Sequence, residues 1–283
     1  MRQSIRVLTN SRGLRLKRMV LMRFGMLASF LLSLWRQFTP PHSDGTTKRL
    51  QFDNVIYLSQ FIFIMRECIR PCIDLPSPQL TMLYAFTIAS FVLNTIYVEA
   101  CTGSSLILAS VAMDLLWLVG FATYVLVIEN VEPPHIFATI SIHKDCAYPC
   151  RSTADYLCIR VPFTLSASWL GAKTIASLSI ALTIIGVSLD MYIYISCFSA
   201  LLMANIIALL WQGDLVFASV GAWTFVWLEI KSAQEKILVV ENSDEFAAIC
   251  AIQAMATLGL SVLVSVTTVL LVVRYCVKFV ASI

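Results

Sequence analysis

Two aspartates inside apolar runs are the residues of this chain best placed to do chemistry. Asp114 lies near the middle of Ser104–Ile128, and Asp190 carries the one charge between Thr174 and Trp211. An aspartate at the centre of a bilayer costs about 2.5–3.5 kcal/mol on insertion scales, so it is expected to face other helices or a wet cavity. Three roles suit such an acid. It can bind a proton or cation in a small-solute or ion-coupled transporter. It can act as the general acid of a membrane-embedded enzyme on a lipophilic substrate, flanked by Trp117, Tyr192 or Tyr194. It can also be structural glue in a scaffold or receptor-like protein, hydrogen-bonded across helices. For Asp114 the candidate polar partners are Asn94, Tyr97 and Asn205. Asp190 has a plainer reading, as the marker of a chain reversal at the membrane surface.

Other polar residues at membrane depth, Gln60 and Gln253 besides the two asparagines, are expected to bond between helices. His143, Cys146, Cys150 and Cys158 resemble a zinc set only superficially. Structural zinc sites usually draw on paired short knuckles, and here the last spacing is irregular and no second pair follows. Free thiols are the expectation there, with a disulfide as the alternative in an oxidising compartment. Nine cysteines cannot all pair within one chain. Cys68 and Cys72, near a span end, form a weak palmitoylation pattern. The sequence contains no phosphate-binding glycine loop, HExxH or G-x-S-x-G motif, so catalysis has no motif behind it. No metal site is expected and no cofactor is indicated.

Membrane spans must position these residues. Hydrophobic residues make up 59% of the 283 and charged residues 13%, about half the charged share of a soluble domain. Mean hydropathy is +0.82. A single helix over 174–211 would be roughly 57 Å long, against a hydrocarbon core of about 30 Å, so the stretch is expected to fold back between Gly186 and Tyr192. Further spans are read at Met19–Trp35, Leu80–Val98, Ser104–Ile128, Leu215–Leu228 and Phe246–Val273. Val55–Met65 is the weakest candidate, being short with Gln60 at its centre. Residues 129–168 read as a polar connection containing cysteines and prolines.

Charge is lopsided. Residues 1–43 hold Arg2, Arg6, Arg12, Arg15, Lys17, Arg18, Arg23 and Arg36, and the first acid is Asp44. This suits the cytoplasmic flank of a first span, with Arg23 snorkelling to the headgroups, better than a nucleic-acid surface. An organellar transit peptide and an interfacial amphipathic helix are the rival readings. The expected architecture is therefore all-α, a polytopic transmembrane bundle of seven or eight spans. It has a basic flank at 1–18 and one helical membrane domain over 19–283. Its expected partners are the lipid bilayer and a small-molecule or lipophilic ligand, with no nucleic acid. The plasma membrane or an endomembrane is favoured over an organellar one.

Overall fold

The computed structural model describes residues 2–38, 51–69, 77–103, 105–130, 156–186, 191–237 and 244–281, and every regular element among them is helical. They are α1 (Arg2–Phe38), α2 (Gln51–Ile69), α3 (Ser77–Thr102) and α4 (Leu106–Asn130). After these, one turn of π-helix (Tyr156–Arg160) leads into α5 (Val161–Ile184), followed by α6 (Met191–Gln212), α7 (Leu215–Lys236) and α8 (Asp244–Ala281). Seven of these helical segments among the described residues are long and apolar enough to cross a membrane. The chain is a multi-pass integral membrane protein. Its described residues group into two compact units that divide between Phe163 and Thr164.

In the first unit, α1 and α3 run parallel. Arg23 meets Tyr84, Gly25 faces Ile88, Ser33 meets Asn94 and Arg36 pairs with Glu99, so both residue numbers rise together. Helix α2 runs against them, because Tyr57 meets Asn94 while Glu67 meets Tyr84. Met26, Phe30, Phe63, Ile64, Leu83 and Phe91 are buried between these helices. Phe91 stands edge-on to Phe30 at 5.2 Å. Helices α3 and α4 form a hairpin over a tight turn, closed by Gly103 N–H to the Glu99 carbonyl at 2.8 Å.

Two consecutive parallel spans require a crossing between them, and α2 lies alongside both for the ten residues from Tyr57 to Glu67, about 15 Å. Its polar side chains keep it out of the set of apolar spans, yet it follows the path of a span. Single cysteines at Thr47 and Ser77, in a chain otherwise free of cysteine, are expected to label from opposite faces of a sealed vesicle. Labelling from the same face would show that α2 does not cross.

In the second unit, the apolar stretch 174–211 divides as its length requires. Helix α5 stops at Ile184, Gly186 takes φ +78°, a left-handed conformation that glycine adopts without strain, and α6 starts at Met191. The start of α5 lies beside the end of α6, since the Thr164 hydroxyl donates to Asp214 at 3.2 Å. The chain thus runs out along α5 and returns along α6. Asp214 also caps α7 by accepting from the Phe217 N–H at 3.1 Å, and Gly213 at φ +58° makes the sharp connection. One face of α7 then fixes its neighbours. Gly221 receives the Asn205 carboxamide of α6, and four residues on Phe225 fills the space beside Gly259 of α8.

Helix α1 is continuous from Arg2 through the basic flank and the first span. The connection read over 129–168 ends early, since helix begins at Tyr156. Pro162 suggests a loop when read in sequence alone. A proline is tolerated in the first turn of an α-helix, and a wide π-turn ahead of it relieves the missing N–H.

Candidate functional site

Asp114 sits on α4, which packs along α3 through a face that includes Ala109, Ala112, Met113, Leu116 and Tyr124. The carboxylate lies on the flank of that face and is half-buried. Its Oδ1 is enclosed and meets no hydrogen-bond donor among the described residues. Trp117 and Phe121 follow at steps of three and four residues, which on a helix continues the same flank, and Tyr124 joins them to the packed face. Trp117 and Phe121 have ring centroids 5.9 Å apart, and Phe121 and Tyr124 6.1 Å. The arrangement is one carboxylate at the head of a row of aromatic faces. Such a row suits a cation carrying apolar groups, through charge at one end and cation–π attraction along the rest.

Two of the partners expected for Asp114, Asn94 and Asn205, bond elsewhere. Asn94 donates to Ser33 of α1 at 2.7 Å and to Tyr57 of α2 at 2.8 Å, and Tyr57 in turn donates to Gln37 at 3.4 Å. Asn94 therefore ties α1, α2 and α3 together, which is the glue role with a different set of helices. Asn205 is fully buried and turns its amide back onto the Leu201 carbonyl of its own helix at 2.8 Å. Its Oδ1 points at the Gly221 notch, where the absence of a side chain lets the two backbones approach. Asp190 lies outside the described residues, as do His143, Cys146 and Cys150. Cys158 is a half-buried free thiol in the π-turn. Tyr192 is 72% exposed, so it does not wall a closed pocket. Among the described residues no three His, Cys, Asp or Glu side chains converge as a metal site.

A second polar centre escapes the sequence reading. Arg23 donates from Nε to the Tyr84 hydroxyl at 3.2 Å, and Tyr84 donates to Glu67 Oε2 at 2.7 Å. Tyr84 and Glu67 are buried, at 0% and 1% exposure. Arg23 thus turns inward instead of snorkelling, and Glu67 is part of the core. Nearby in this unit the π-turn packs on α2 and α4, and its Arg160, 2% exposed, lies over the Tyr156 ring at 5.9 Å. The sequence does carry a signal for this centre: an arginine within an apolar run needs a buried counter-group, and Glu67 at the far end of the next helix is an acid of the right sign.

The three acids have different surroundings. Glu67 accepts from a tyrosine and Asp214 from a threonine and a backbone N–H. Asp114 Oδ1 has no such donor among the described residues, so it keeps capacity for a ligand.

A family model described as TSPO-like protein matches residues 53–269, from the first turn of α2 well into α8. No curated protein and no solved structure matches the chain.

Proposed function

The chain belongs to the TSPO-like protein family, and from that footing we propose that this multi-pass membrane protein carries a small organic cation across the bilayer, with Asp114 as its intramembrane acid. One observation supports the reading above the others: Asp114 Oδ1 is enclosed within a span and meets no donor. An acceptor in that position at membrane depth is costly unless a proton, a cation or a solute N–H reaches it. Alternate occupancy by a proton and a cation is the simplest way for one carboxylate to couple the two movements. The aromatic row of Trp117, Phe121 and Tyr124 narrows the solute to one with apolar surface. We assign it to the plasma membrane or an endomembrane, the location that goes with reading α1 as a membrane span.

The test uses ethidium as the probe. Full-length protein in sealed vesicles with an imposed pH gradient is expected to move ethidium and protons in opposite directions. Asp114→Asn keeps the shape of the side chain and cannot ionise. It is expected to lower the coupled flux at least about tenfold, the loss that follows when about 1.4 kcal/mol of cation binding is removed. The variant should keep its thermal midpoint, since among the described residues Asp114 Oδ1 makes no hydrogen bond that the change would break. Undiminished pH-driven ethidium movement in Asp114→Asn would remove the assignment of Asp114.

A further inference from the structure

We infer that Arg23 is a lateral binding site for the carboxylate of a long-chain fatty acid, taken up from within the membrane. One edge of the guanidinium is committed to the protein. Its Nε donates to the Tyr84 hydroxyl at 3.2 Å, and its central carbon lies 5.8 Å from the centroid of the Tyr84 ring. The other edge is not committed. Among the described residues neither Nη atom donates to a protein oxygen, and Arg23 reaches Glu67 only through the tyrosine. The arginine is half-buried, whereas Tyr84 and Glu67 are closed off in the core. The relay therefore holds the guanidinium by one edge and leaves its Nη donors for a ligand.

Depth decides which ligand reaches them. The apolar span of α1 begins at Lys17 and that of α3 at Pro78, six residues before Arg23 and Tyr84 respectively. Both parallel helices thus carry the pair about 9 Å inside one boundary of the span. Donors left without an acceptor at that depth are costly. The phosphate of a bilayer lipid stays in the headgroup layer, outside the hydrocarbon. A fatty acid has one chain and a small head, which can follow its chain inward. The two oxygens of its carboxylate match the two-pronged edge of a guanidinium.

The helix also supplies a track for the chain. Leu27 and Leu31 follow Arg23 at steps of four residues, so they continue its stripe towards the middle of the membrane. Leu27 is half-buried and Leu31 is 50% exposed. Phe24, beside them, is 63% exposed. Helix α1 contains no acid that could compete for the guanidinium. The site is thus a fixed cation at the head of an open apolar stripe, the complement of an amphiphile with one negative end.

The experiment maps the site on the native chain. Full-length protein in phosphatidylcholine nanodiscs is exposed to stearic acid carrying a diazirine close to its carboxyl group, illuminated, and digested for peptide mass spectrometry. Saturable labelling is expected on α1 between Met22 and Leu31. Unlabelled stearate should displace it about tenfold better than methyl stearate, which keeps the chain and loses the charge-assisted bonds. Phosphatidylglycerol at the same concentration should not displace it. R23Q should lose the preference for acid over ester, and the comparison of acid with ester in the native chain holds whether or not R23Q folds. Equal displacement by acid and ester would overturn the inference. So would unsaturable labelling spread over the lipid-facing helices, or an undiminished preference in R23Q. Displacement by phosphatidylglycerol as effective as by stearate would make this a headgroup site and overturn the assignment to a fatty acid.

Discussion

Replacing Gly221 with valine is expected to pry α6 from α7. The first added carbon would overlap the Asn205 carboxamide, which is itself fully buried and has no room to retreat. Overpacking of this kind costs about 1–3 kcal/mol when a core can shift, and more when the obstacle is a polar group with nowhere to go. Gly221→Ala should already lower the unfolding midpoint in mixed detergent. Asn205→Ala alone gives up a bond to its own helix and should cost about 0.6 kcal/mol, the usual size of such bonds in membrane proteins. The decisive variant combines Asn205→Ala with Gly221→Ala. If the notch is what couples the helices, the double variant is more stable than Gly221→Ala by itself, and the cycle gives an interaction of more than about 1 kcal/mol. Additive effects would show that Asn205 and Gly221 do not share the contact.

Tyr84→Phe is expected to destabilise the first unit by about 1–3 kcal/mol, although it removes a single oxygen. That hydroxyl accepts from Arg23 and donates to Glu67, so its loss strips a partner from a cation and from an acid together. Glu67→Gln should be milder, because an amide oxygen still accepts from the tyrosine. Replacing all three by apolar residues, R23L/E67L/Y84F, should recover much of the loss, as buried charge networks exchanged for packed hydrocarbon often do. Thermal unfolding followed by helical circular dichroism ranks the four proteins. A Tyr84→Phe midpoint equal to that of the native chain would show that the relay does not hold the helices.

Long apolar runs make most of the helices legible in the amino-acid sequence. The split of 174–211 follows from length alone, because no bilayer accommodates one helix of that size. Helix α2 is hard to read for the opposite reason. Gln60, Arg66 and Glu67 lower its hydropathy, and the bonds that compensate Glu67 and Tyr57 come from α1 and α3, far away in sequence. The same distance hides the Arg23–Tyr84–Glu67 relay, whose members are 61 and 17 residues apart. Asp114 stands out because its own helix is otherwise apolar. Its missing donor is not legible, because Asn94 and Asn205 look equally available in the sequence and only packing assigns them to Ser33, Tyr57 and Leu201.

The parallel pairing of α1 with α3 has a consequence for synthesis. Arg23 leaves the ribosome 61 residues ahead of Tyr84. At about 5–20 residues per second the wait is roughly 3–12 s. Through that interval α1 is a lone helix with an uncompensated cation inside its apolar run, at a cost that grows the deeper the arginine sits. The nascent helix must therefore sit shallow, with Arg23 drawn up to the headgroups, until α2 has returned and α3 brings its tyrosine. Snorkelling belongs to the unfinished chain, and the bond to Tyr84 to the finished one. Insertion of α1 to full depth is then a late event, timed by a residue on the third helix.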